Sequence, residues 1–483
     1  MLLKPFCCAR PWAKFVLLVA LLPGAAEAHS FGVIYTLPVP FWLYAWAASA
    51  ALVVSFVIVG VFATQAPAPD TAGPAEAGPT HTLPRWMLLG LRAGSLAALA
   101  LCIATGLFGT PNPYGNFNMT FFWIVFVLGF AYLTVLVGDL YARISPFKTL
   151  THVLPQQGWL SYPAALGYTP ALVFYAGFLW LELFGRGSPH TLSWALLAYT
   201  ACTLTGAALF GTRDWLRYGE FFALWLRLIA RMAPVAFDDE HSGRFRWRWP
   251  FAGLRRQNPE HWTLLLFVLF MLSSTAFDGL HDAKVWVEWY WVTLYRELLS
   301  GWYGSNPFAA FPKMRVLYQR WQLGWLMLSP WLYLSFYLAG IAVMRRLLRD
   351  RPPLMPLAMA FAPSLLPIVL VYHITHYFTL IETQGIKIIA LASDPFGFDW
   401  NLFGTATWFQ RLFVPDSAVV WHVQVALILA GHIASVYVAH LIALDLLHQR
   451  RAATVSQLPM LALMVAFTVA GLWILSQPIR VAP

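Results

Sequence analysis

The stretch 355–379, MPLAMAFAPSLLPIVLVYHITHYFT, decides the class of fold to which this chain belongs. It contains no Asp, Glu, Lys or Arg, and it is long enough to cross a hydrocarbon core of about 30 Å at about 1.5 Å per residue. It also places His373 and His376 at membrane depth, where an ionisable side chain is costly unless it is paired or bound to a ligand. The stretch therefore predicts a membrane-spanning helix that carries two functional histidines.

The composition extends this prediction from one helix to the whole fold. Of the 483 residues, 59% are hydrophobic and 11% are charged, which excludes a soluble globular protein and is typical of polytopic helical membrane proteins. The apolar stretches are long and continuous, whereas the strands of a membrane β-barrel are short and alternating. The net charge of +10 lies mostly in the connecting loops. It therefore indicates membrane orientation rather than a nucleic-acid partner.

Ten apolar stretches predict an all-α bundle of about ten membrane-spanning helices, which form a single domain over residues 29–483. They lie near 41–63, 86–108, 119–142, 167–184, 192–211, 261–279, 323–344, 355–379, 418–446 and 457–477. Each is long enough to cross a bilayer.

Residues 1–28 are predicted to be a cleaved signal peptide. Basic residues up to Lys14 precede a short apolar run, and residues 26–28 (AEA) match the small-x-small pattern of a cleavage site. A retained first helix is the alternative. Cleavage would make His29 the N-terminus, where its α-amino and imidazole nitrogens could chelate copper or zinc. The alternative for His29 is an incidental residue at the cleavage site.

The distribution of Lys and Arg predicts the orientation of the bundle. With the mature N-terminus outside, the inner loops hold roughly two Lys or Arg for each one in the outer loops, as the positive-inside rule requires. The inner side then contains a flexible linker at 64–84 and a basic segment at 212–260. Within the basic segment, 215–234 is expected to form an amphipathic helix on the membrane surface. The aromatic outer segments 280–322 and 380–417 are expected to form short interfacial or re-entrant helices over the bundle mouth.

One half of the candidate site is the end of the sixth span, where Asp278, His281 and Asp282 follow the spacing i, i+3, i+4. Residues at this spacing share one face of a helix, so their side chains can point into one cavity. An imidazole with two carboxylates can form half of a transition-metal site. The alternative is a helix end exposed to water, where acidic residues carry no penalty.

The other half comes from the eighth and ninth spans. Two histidines three residues apart in the eighth span share one face and can bind one ion, and hydrogen-bonded core histidines are the alternative. The ninth span begins beside His422, which can join the same outer site, and Glu382 can orient the ligands. The predicted site is a divalent transition metal held by His281, Asp282, His373, His376, His422 and His29, with Asp278 and Glu382 in catalytic roles.

Deeper ionisable residues leave a second function open. His432 and His440 lie about 15 Å and 27 Å below His422 along the ninth span, at about 1.5 Å per residue. Imidazoles on facing helices can hold b haem through two axial ligands. A membrane electron-transfer or metal-handling subunit with b haem or copper is therefore the alternative function. Arg92, in the second span, is expected either to extend to the inner interface or to pair with an acid such as Glu182 across the bundle.

Several further stretches are characteristic in their sequence: His29 onward with 37–46 (LPVPFWLYAW), 122–148 with its end GDLYARISPFK, 213–222 with 230–234, and 383–404. They resemble a group of polytopic bacterial membrane proteins labelled fenitrothion hydrolase, and together they span most of the chain. The resemblance implies a subunit of a membrane-bound organophosphorus hydrolase in the bacterial inner membrane. It also allows a second membrane subunit, homologous or not, as a partner. It supplies no catalytic residues.

The implied reaction releases a nitrophenol from a lipophilic aryl thiophosphate, and a metal-activated water fits this chemistry. A neutral triester needs a strong nucleophile and a Lewis acid, and a bound divalent ion supplies both by lowering the pKa of its water to about 7. The substrate dissolves in bilayers, so an outer site can receive it directly from the lipid. The sequence therefore predicts a metal-dependent phosphotriester hydrolase that contacts the lipid bilayer and a lipophilic small molecule.

Overall fold

Ten membrane-length helices make up most of the described part of the protein. The computed structural model describes residues 39–63, 80–152, 154, 156–185, 187–238, 243–255, 261–409, 415–447 and 450–477. Its long apolar helices are α1 (Phe41–Phe62), α2 (Arg85–Phe108), α3 (Phe117–Val137), α4 (Ala164–Leu183), α5 (Pro189–Phe210), α6 (Trp262–His281), α7 (Pro307–Leu347), α8 (Leu354–Thr383), α9 (Ser417–Leu447) and α10 (Leu458–Leu475). The predicted all-α polytopic bundle is confirmed. The predicted signal peptide and His29 lie outside the described residues.

Shorter elements connect these helices. The short helices are Tyr141–Ile144, Pro146–Thr151, Thr212–Tyr218, Phe221–Ala230, Ala252–Arg255, Lys284–Glu288, Trp289–Leu299, Ser300–Tyr303, Gly385–Lys387, Ile388–Ser393 and Arg450–Ser456. Three short strands, β1 (His81–Thr82), β2 (Val235–Phe237) and β3 (Arg244–Trp247), form one antiparallel sheet in the order β1-β3-β2. Most of the predicted linker 64–84 lies outside the described residues, but its end pairs with the basic segment through β1.

Helix α6 is the centre of the bundle. Of the residues in its most apolar 18-residue stretch, 83% are buried, against 11% for the corresponding stretch of α2 at the periphery. It packs against α7 and α8, and α8 packs in turn against α9. A helix that is apolar all round can be buried on every side. Residues on α6 are therefore shielded from lipid, and this places Asp278, in its last turn, inside protein.

Helix α8 is broken by a 3-10 turn at Ala362–Leu365. Pro363 lies in this turn and Pro367 follows it, and proline lacks the N–H that an intact helix needs. The Ser364 carbonyl, in this turn, accepts a hydrogen bond of 2.5 Å from Ser435 Oγ on α9. The uninterrupted part from Leu366 to Thr383 carries the site histidines.

Helix α7 begins at Pro307, earlier than the predicted start near 323. Its 41 residues correspond to about 62 Å at 1.5 Å per residue, about twice the thickness of a bilayer core. The additional turns pack against Trp289–Leu299 through a small cluster of Tyr295, Ala310 and Met314. The hydropathy pattern detects only the apolar portion of this helix. The predicted interfacial segment 280–322 is helical. Most of it forms a helical hairpin, in which Trp289–Leu299 packs against the first turns of α7.

The helix Phe221–Ala230 lies inside the bundle. The sequence had instead predicted a single amphipathic helix over 215–234 on the membrane surface. Eight of its ten residues are buried, and it contacts α3, α4 and α8. The fully buried carboxylate of Glu220 caps its start by accepting from the N–H groups of Phe222 and Ala223, at 3.1 and 2.8 Å. Such a cap satisfies amide groups that would otherwise be buried without a partner.

The end of the same helix is capped from the basic segment. The Arg248 guanidinium donates to the carbonyls of Ala230, Arg231 and Ala233, at 2.7, 3.2 and 2.8 Å. A cation near a helix C-terminus satisfies free carbonyls and interacts favourably with the helix dipole. Arg248 therefore has a structural role in addition to contributing to the charge bias.

Candidate active site

The candidate site lies where α4, α6 and α8 come together. These alternate helices run in the same direction across the bundle, so their C-terminal ends lie at the same side of the protein. Glu182 is in the last turn of α4 and Asp278 is in the last turn of α6. His376 lies two turns before the end of α8. The topology predicted from the sequence places Asp278 and His376 near one face, and the structure brings them into contact.

Asp278 is the centre of this cluster. Its Oδ2 lies 2.6 Å from His376 Nε2 and 2.6 Å from the Tyr377 hydroxyl. Its side chain is 2% exposed. Hydrogen bonds to an ionised carboxylate are about twice as strong as those between neutral groups. Two of them directed at one oxygen hold Asp278 and His376 in a fixed relative position.

Tyr377 connects Asp278 to a second carboxyl group. Its hydroxyl lies 3.1 Å from Glu182 Oε1 as well as 2.6 Å from Asp278 Oδ2. A phenol has one proton and can donate it to only one acceptor at a time. The three side chains therefore share protons as one network, and a change at one of them alters the hydrogen bonds of the others.

Of the two alternatives for Arg92, the pairing with Glu182 is wrong. The Arg92 Nε donates to the backbone carbonyl of Arg143 at 2.8 Å, whereas Glu182 contacts Tyr377. An acidic residue in an apolar span is a functional candidate by itself. This signal could have placed Glu182 in the site, but only the tertiary structure identifies Tyr377, on α8, as its partner.

His281 and Asp282 border the network. His281 is buried, and its Nδ1 donates to the backbone carbonyl of Asp278 at 2.7 Å. The Nδ1 atom therefore carries the proton of a neutral ring, and Nε2 has the lone pair. The Asp282 carboxylate lies 3.5 Å from His281 Nε2 and is 41% exposed. These two residues lie beside the dyad of Asp278 and His376, with Asp282 facing solvent.

His373 occupies an aromatic environment. Its ring centroid lies 5.8 Å from those of Tyr132 and Trp225 and 5.1 Å from that of Tyr377. Its backbone carbonyl accepts from the Tyr132 hydroxyl at 3.1 Å. The two histidines of α8 thus have different surroundings, since His376 is paired with a carboxylate and His373 is packed among rings.

Two other predicted site residues have contacts elsewhere. Glu382 is exposed in the last turn of α8. His422 is exposed at the start of α9, where its Nδ1 donates to the Ala418 carbonyl at 2.6 Å and its Nε2 lies 3.5 Å from the Tyr44 hydroxyl. In the described part of the chain, the contacts of His422 are therefore with α1 and its own helix rather than with the Asp278 cluster.

The deeper histidines of α9 are fully buried. His432 Nδ1 donates to the Ile428 carbonyl at 2.8 Å, and its ring faces Tyr372 with centroids 6.0 Å apart. His440 Nδ1 lies 3.0 Å from Gln457 Nε2, which can only donate. His440 has a partner at each ring nitrogen, since its Nε2 lies 3.3 Å from the Ala63 carbonyl. His432 Nε2 is buried and has no hydrogen-bond partner among the described residues.

A bound metal ion needs several donor side chains around it, at distances set by its coordination geometry. Across the described ranges, no group of three or more His, Cys, Asp or Glu side chains is arranged to hold one. Two ligand atoms at about 2.1 Å from a tetrahedral ion are about 3.4 Å apart, whereas His376 Nε2 and Asp278 Oδ2 are 2.6 Å apart. In this arrangement the pair is hydrogen-bonded and does not fit a shared ion. The divalent metal stays a prediction from the sequence.

No family model, curated protein or solved structure matches this chain. The resemblance to the fenitrothion hydrolase group therefore also stays a prediction.

Proposed function

We propose that this protein is a membrane-embedded hydrolase of lipophilic organophosphorus triesters, in which His376 is the general base and Asp278 orients it. The substrate class rests on the sequence resemblance. The acid–base chemistry is supported by the contacts of Asp278, His376, Tyr377 and Glu182. The proposed location is the bacterial inner membrane, with the mature N-terminus and this site on the outer side, as the charge bias favours.

One observation carries the proposal: the carboxylate of the dyad is buried, and its imidazole is partly exposed. The Asp278 side chain is 2% exposed, whereas that of His376 is 17% exposed. A buried carboxylate fixes the tautomer and orientation of a histidine and stabilises the imidazolium that forms during proton transfer. Partial exposure of the imidazole leaves room for water or substrate to reach it.

The tautomer defines which nitrogen acts. His376 donates its Nε2–H to Asp278, so the lone pair of the neutral ring is on Nδ1. The Nδ1 atom accepts a proton from water while the water oxygen forms a bond to phosphorus. The bond between phosphorus and the aryl oxygen breaks, and the aryloxide leaves with the electron pair. The proton on Nδ1 then passes to the aryloxide, so that triester and water yield a diester acid and a phenol.

Tyr377 and Glu182 have a positioning role in this scheme. The Tyr377 hydroxyl contacts Asp278 Oδ2, the oxygen that also accepts from His376. It thereby restricts rotation of the carboxylate. Glu182 is the second carboxyl partner of the same hydroxyl. Residues that lock the orientation of a catalytic group preserve the geometry on which proton transfer depends.

The surroundings of the site suit a substrate that dissolves in lipid. Exposed aromatic side chains lie after α8, including Phe398, Trp400, Phe403 and Trp408. Such residues concentrate at membrane–water interfaces. A lipophilic triester held at this interface would be close to the ends of α4, α6 and α8. The outer segments therefore favour entry from the membrane.

The alternative, an electron-transfer subunit with b haem or copper, has less support. Bis-histidine haem ligation needs imidazoles on facing helices. The rings of His432 and His440 instead face Tyr372 and Gln457. A visible spectrum of the purified protein distinguishes the two functions, because a haem subunit has a Soret band and the proposed hydrolase does not.

The central experiment compares His376→Gln with His422→Gln in purified protein reconstituted into nanodiscs. The readout is nitrophenol release from an aryl thiophosphate triester. General-base catalysis contributes about 10²- to 10⁴-fold, so we expect His376→Gln to lower kcat by at least about 100-fold. We expect His422→Gln to retain activity, since its contacts are with Tyr44 and Ala418.

The paired variants also separate the dyad from the metal site predicted by the sequence. A strong loss in both variants, together with a stoichiometric bound metal, would favour the metal site and contradict the dyad. Unchanged kcat in a correctly folded His376→Gln would exclude His376 as the base. A wild-type protein that releases no nitrophenol would remove the proposed substrate class.

A further inference from the structure

A large cavity lies at the end of the bundle opposite Asp278 and His376. Its volume is about 990 Å³, and it is lined by the start of α6, the connection between α7 and α8, and the end of α9. Ligand pockets commonly measure about 300–1,000 Å³. The cavity is therefore large enough for a large ligand or a substantial part of a lipid.

The charged lining of this cavity is mainly basic. Arg231, Arg349 and Arg451 line it, and Asp350 is the acidic residue among its lining side chains. Arg349 follows α7, and Arg451 belongs to the short helix after α9, so the two come from different connections at the same end of the bundle. Both are exposed. This arrangement presents positive charge at the cavity mouth, where an anionic group can approach.

The remaining lining is largely aliphatic. Leu264, Leu347, Leu447 and Val455 contribute to it. Leu347 and Val455 are exposed, and Leu264 and Leu447 are partly exposed. An accessible apolar wall therefore lies beside the basic mouth. A small inorganic anion would neutralise the mouth and leave this wall in contact with water, whereas an acyl chain would cover it.

We propose that this cavity binds an anionic phospholipid, with its phosphate near Arg349 and Arg451 and an acyl chain along Leu264 and Leu447. Basic pockets between transmembrane helices on the cytoplasmic side recognise anionic lipid headgroups. The charge bias of the loops favours placing this end of the bundle at the inner leaflet. The lipid site lies away from the Asp278 cluster and does not depend on the hydrolase proposal.

The test uses the full-length protein, delipidated in a neutral detergent. Native mass spectrometry measures binding of phosphatidylglycerol, of phosphatidylcholine with the same acyl chains, and of glycerol phosphate. One basic residue near a charged lipid changes affinity about fivefold. We expect phosphatidylglycerol to bind at least about tenfold more tightly than phosphatidylcholine, and glycerol phosphate to compete poorly because it lacks acyl chains.

The variant Arg349→Gln/Arg451→Gln should lower phosphatidylglycerol affinity by about 25-fold, from two arginines at about fivefold each. The matched control, Arg244→Gln/Arg346→Gln, removes the same charge from two exposed residues at this end that do not line the cavity, and it should retain the preference. Equal affinity for the two lipids in the wild-type protein would overturn the proposal without any variant. Competition by glycerol phosphate at equal strength, or retained preference in the cavity variant, would also overturn it.

Discussion

Replacing Asp278 with asparagine tests the proposed dyad most directly, because the substitution keeps the size of the side chain and removes its charge. In the wild-type protein, Asp278 Oδ2 accepts from His376 Nε2 and from the Tyr377 hydroxyl, each at 2.6 Å. An asparagine carbonyl can replace part of this interaction. Its amide group can only donate.

The effect of Asp278→Asn on stability should be small. Each hydrogen bond to a charged group contributes about 1.5–3 kcal/mol, and the asparagine carbonyl can retain one of the two. The carboxylate is 2% exposed, and transferring such a charge out of water costs several kcal/mol, a penalty that the amide avoids. These opposing contributions nearly cancel, so we expect a change in unfolding free energy of less than about 2 kcal/mol.

The effect on catalysis should be large. If the amide introduced by Asp278→Asn turned its NH₂ group toward His376, Nε2 would have to accept, and the ring proton would move to Nδ1. The base would then lack the Nδ1 lone pair that accepts the proton. Loss of the orienting carboxylate from a His–Asp pair lowers kcat by about 10⁴-fold when the geometry is retained. We therefore expect a loss of about 10³- to 10⁴-fold.

Thermal unfolding followed by tryptophan fluorescence measures the first quantity, and nitrophenol release measures the second. Asp416→Asn is the matched control, since Asp416 is an exposed helix cap at the same end of the bundle and asparagine caps helices about as well as aspartate. It should leave both quantities unchanged. The reasoning is refuted if folded Asp278→Asn retains kcat within about tenfold of the wild type.

Three further predictions concern packing, an ion pair and bound cofactors. Gly471→Ala should lower the midpoint of thermal unfolding by several degrees, because a Cβ there would collide with the Tyr372 side chain. The control Gly324→Ala, with open space around it, should have a midpoint equal to or above that of the wild type. Arg255→Gln should destabilise the protein by about 3–5 kcal/mol in chemical unfolding, because it leaves Asp445 without its partner at 2.8 Å in a largely buried pair; a loss below about 1 kcal/mol would mean that the site is hydrated. A visible spectrum of the purified protein should show no Soret band. Elemental analysis measures bound metal, and a stoichiometric divalent ion would support the metal site predicted from the sequence.

The class of fold could be predicted from the sequence because membrane insertion depends on local properties. A span needs only enough consecutive apolar residues to cross the bilayer, and nine of the ten predicted spans agree closely with the helices of the structure. The exception is α7, whose first turns contain Lys313 and Arg315 and lie outside the apolar stretch. Hydropathy cannot detect a helix that continues beyond the membrane.

The depth of the site residues could also be predicted, because alternating helices return to the same side of the membrane. This reasoning placed Asp278 and His376 at one end, where the structure joins them. The same reasoning placed His422 there, but His422 turns toward Tyr44 on α1. Depth follows from position along a span, whereas the direction of a side chain depends on how its helix is rotated.

The sequence by itself therefore determined that this is a polytopic all-α membrane protein with ionisable residues near one end. Only the tertiary structure decided that Glu182 joins Asp278 through Tyr377, and that Phe221–Ala230 lies inside the bundle. The physical reason is that lipid tails are as apolar as a protein core. Hydropathy then cannot distinguish the face of a helix that packs against its neighbours from the face that meets lipid, and side-chain packing between helices makes that choice.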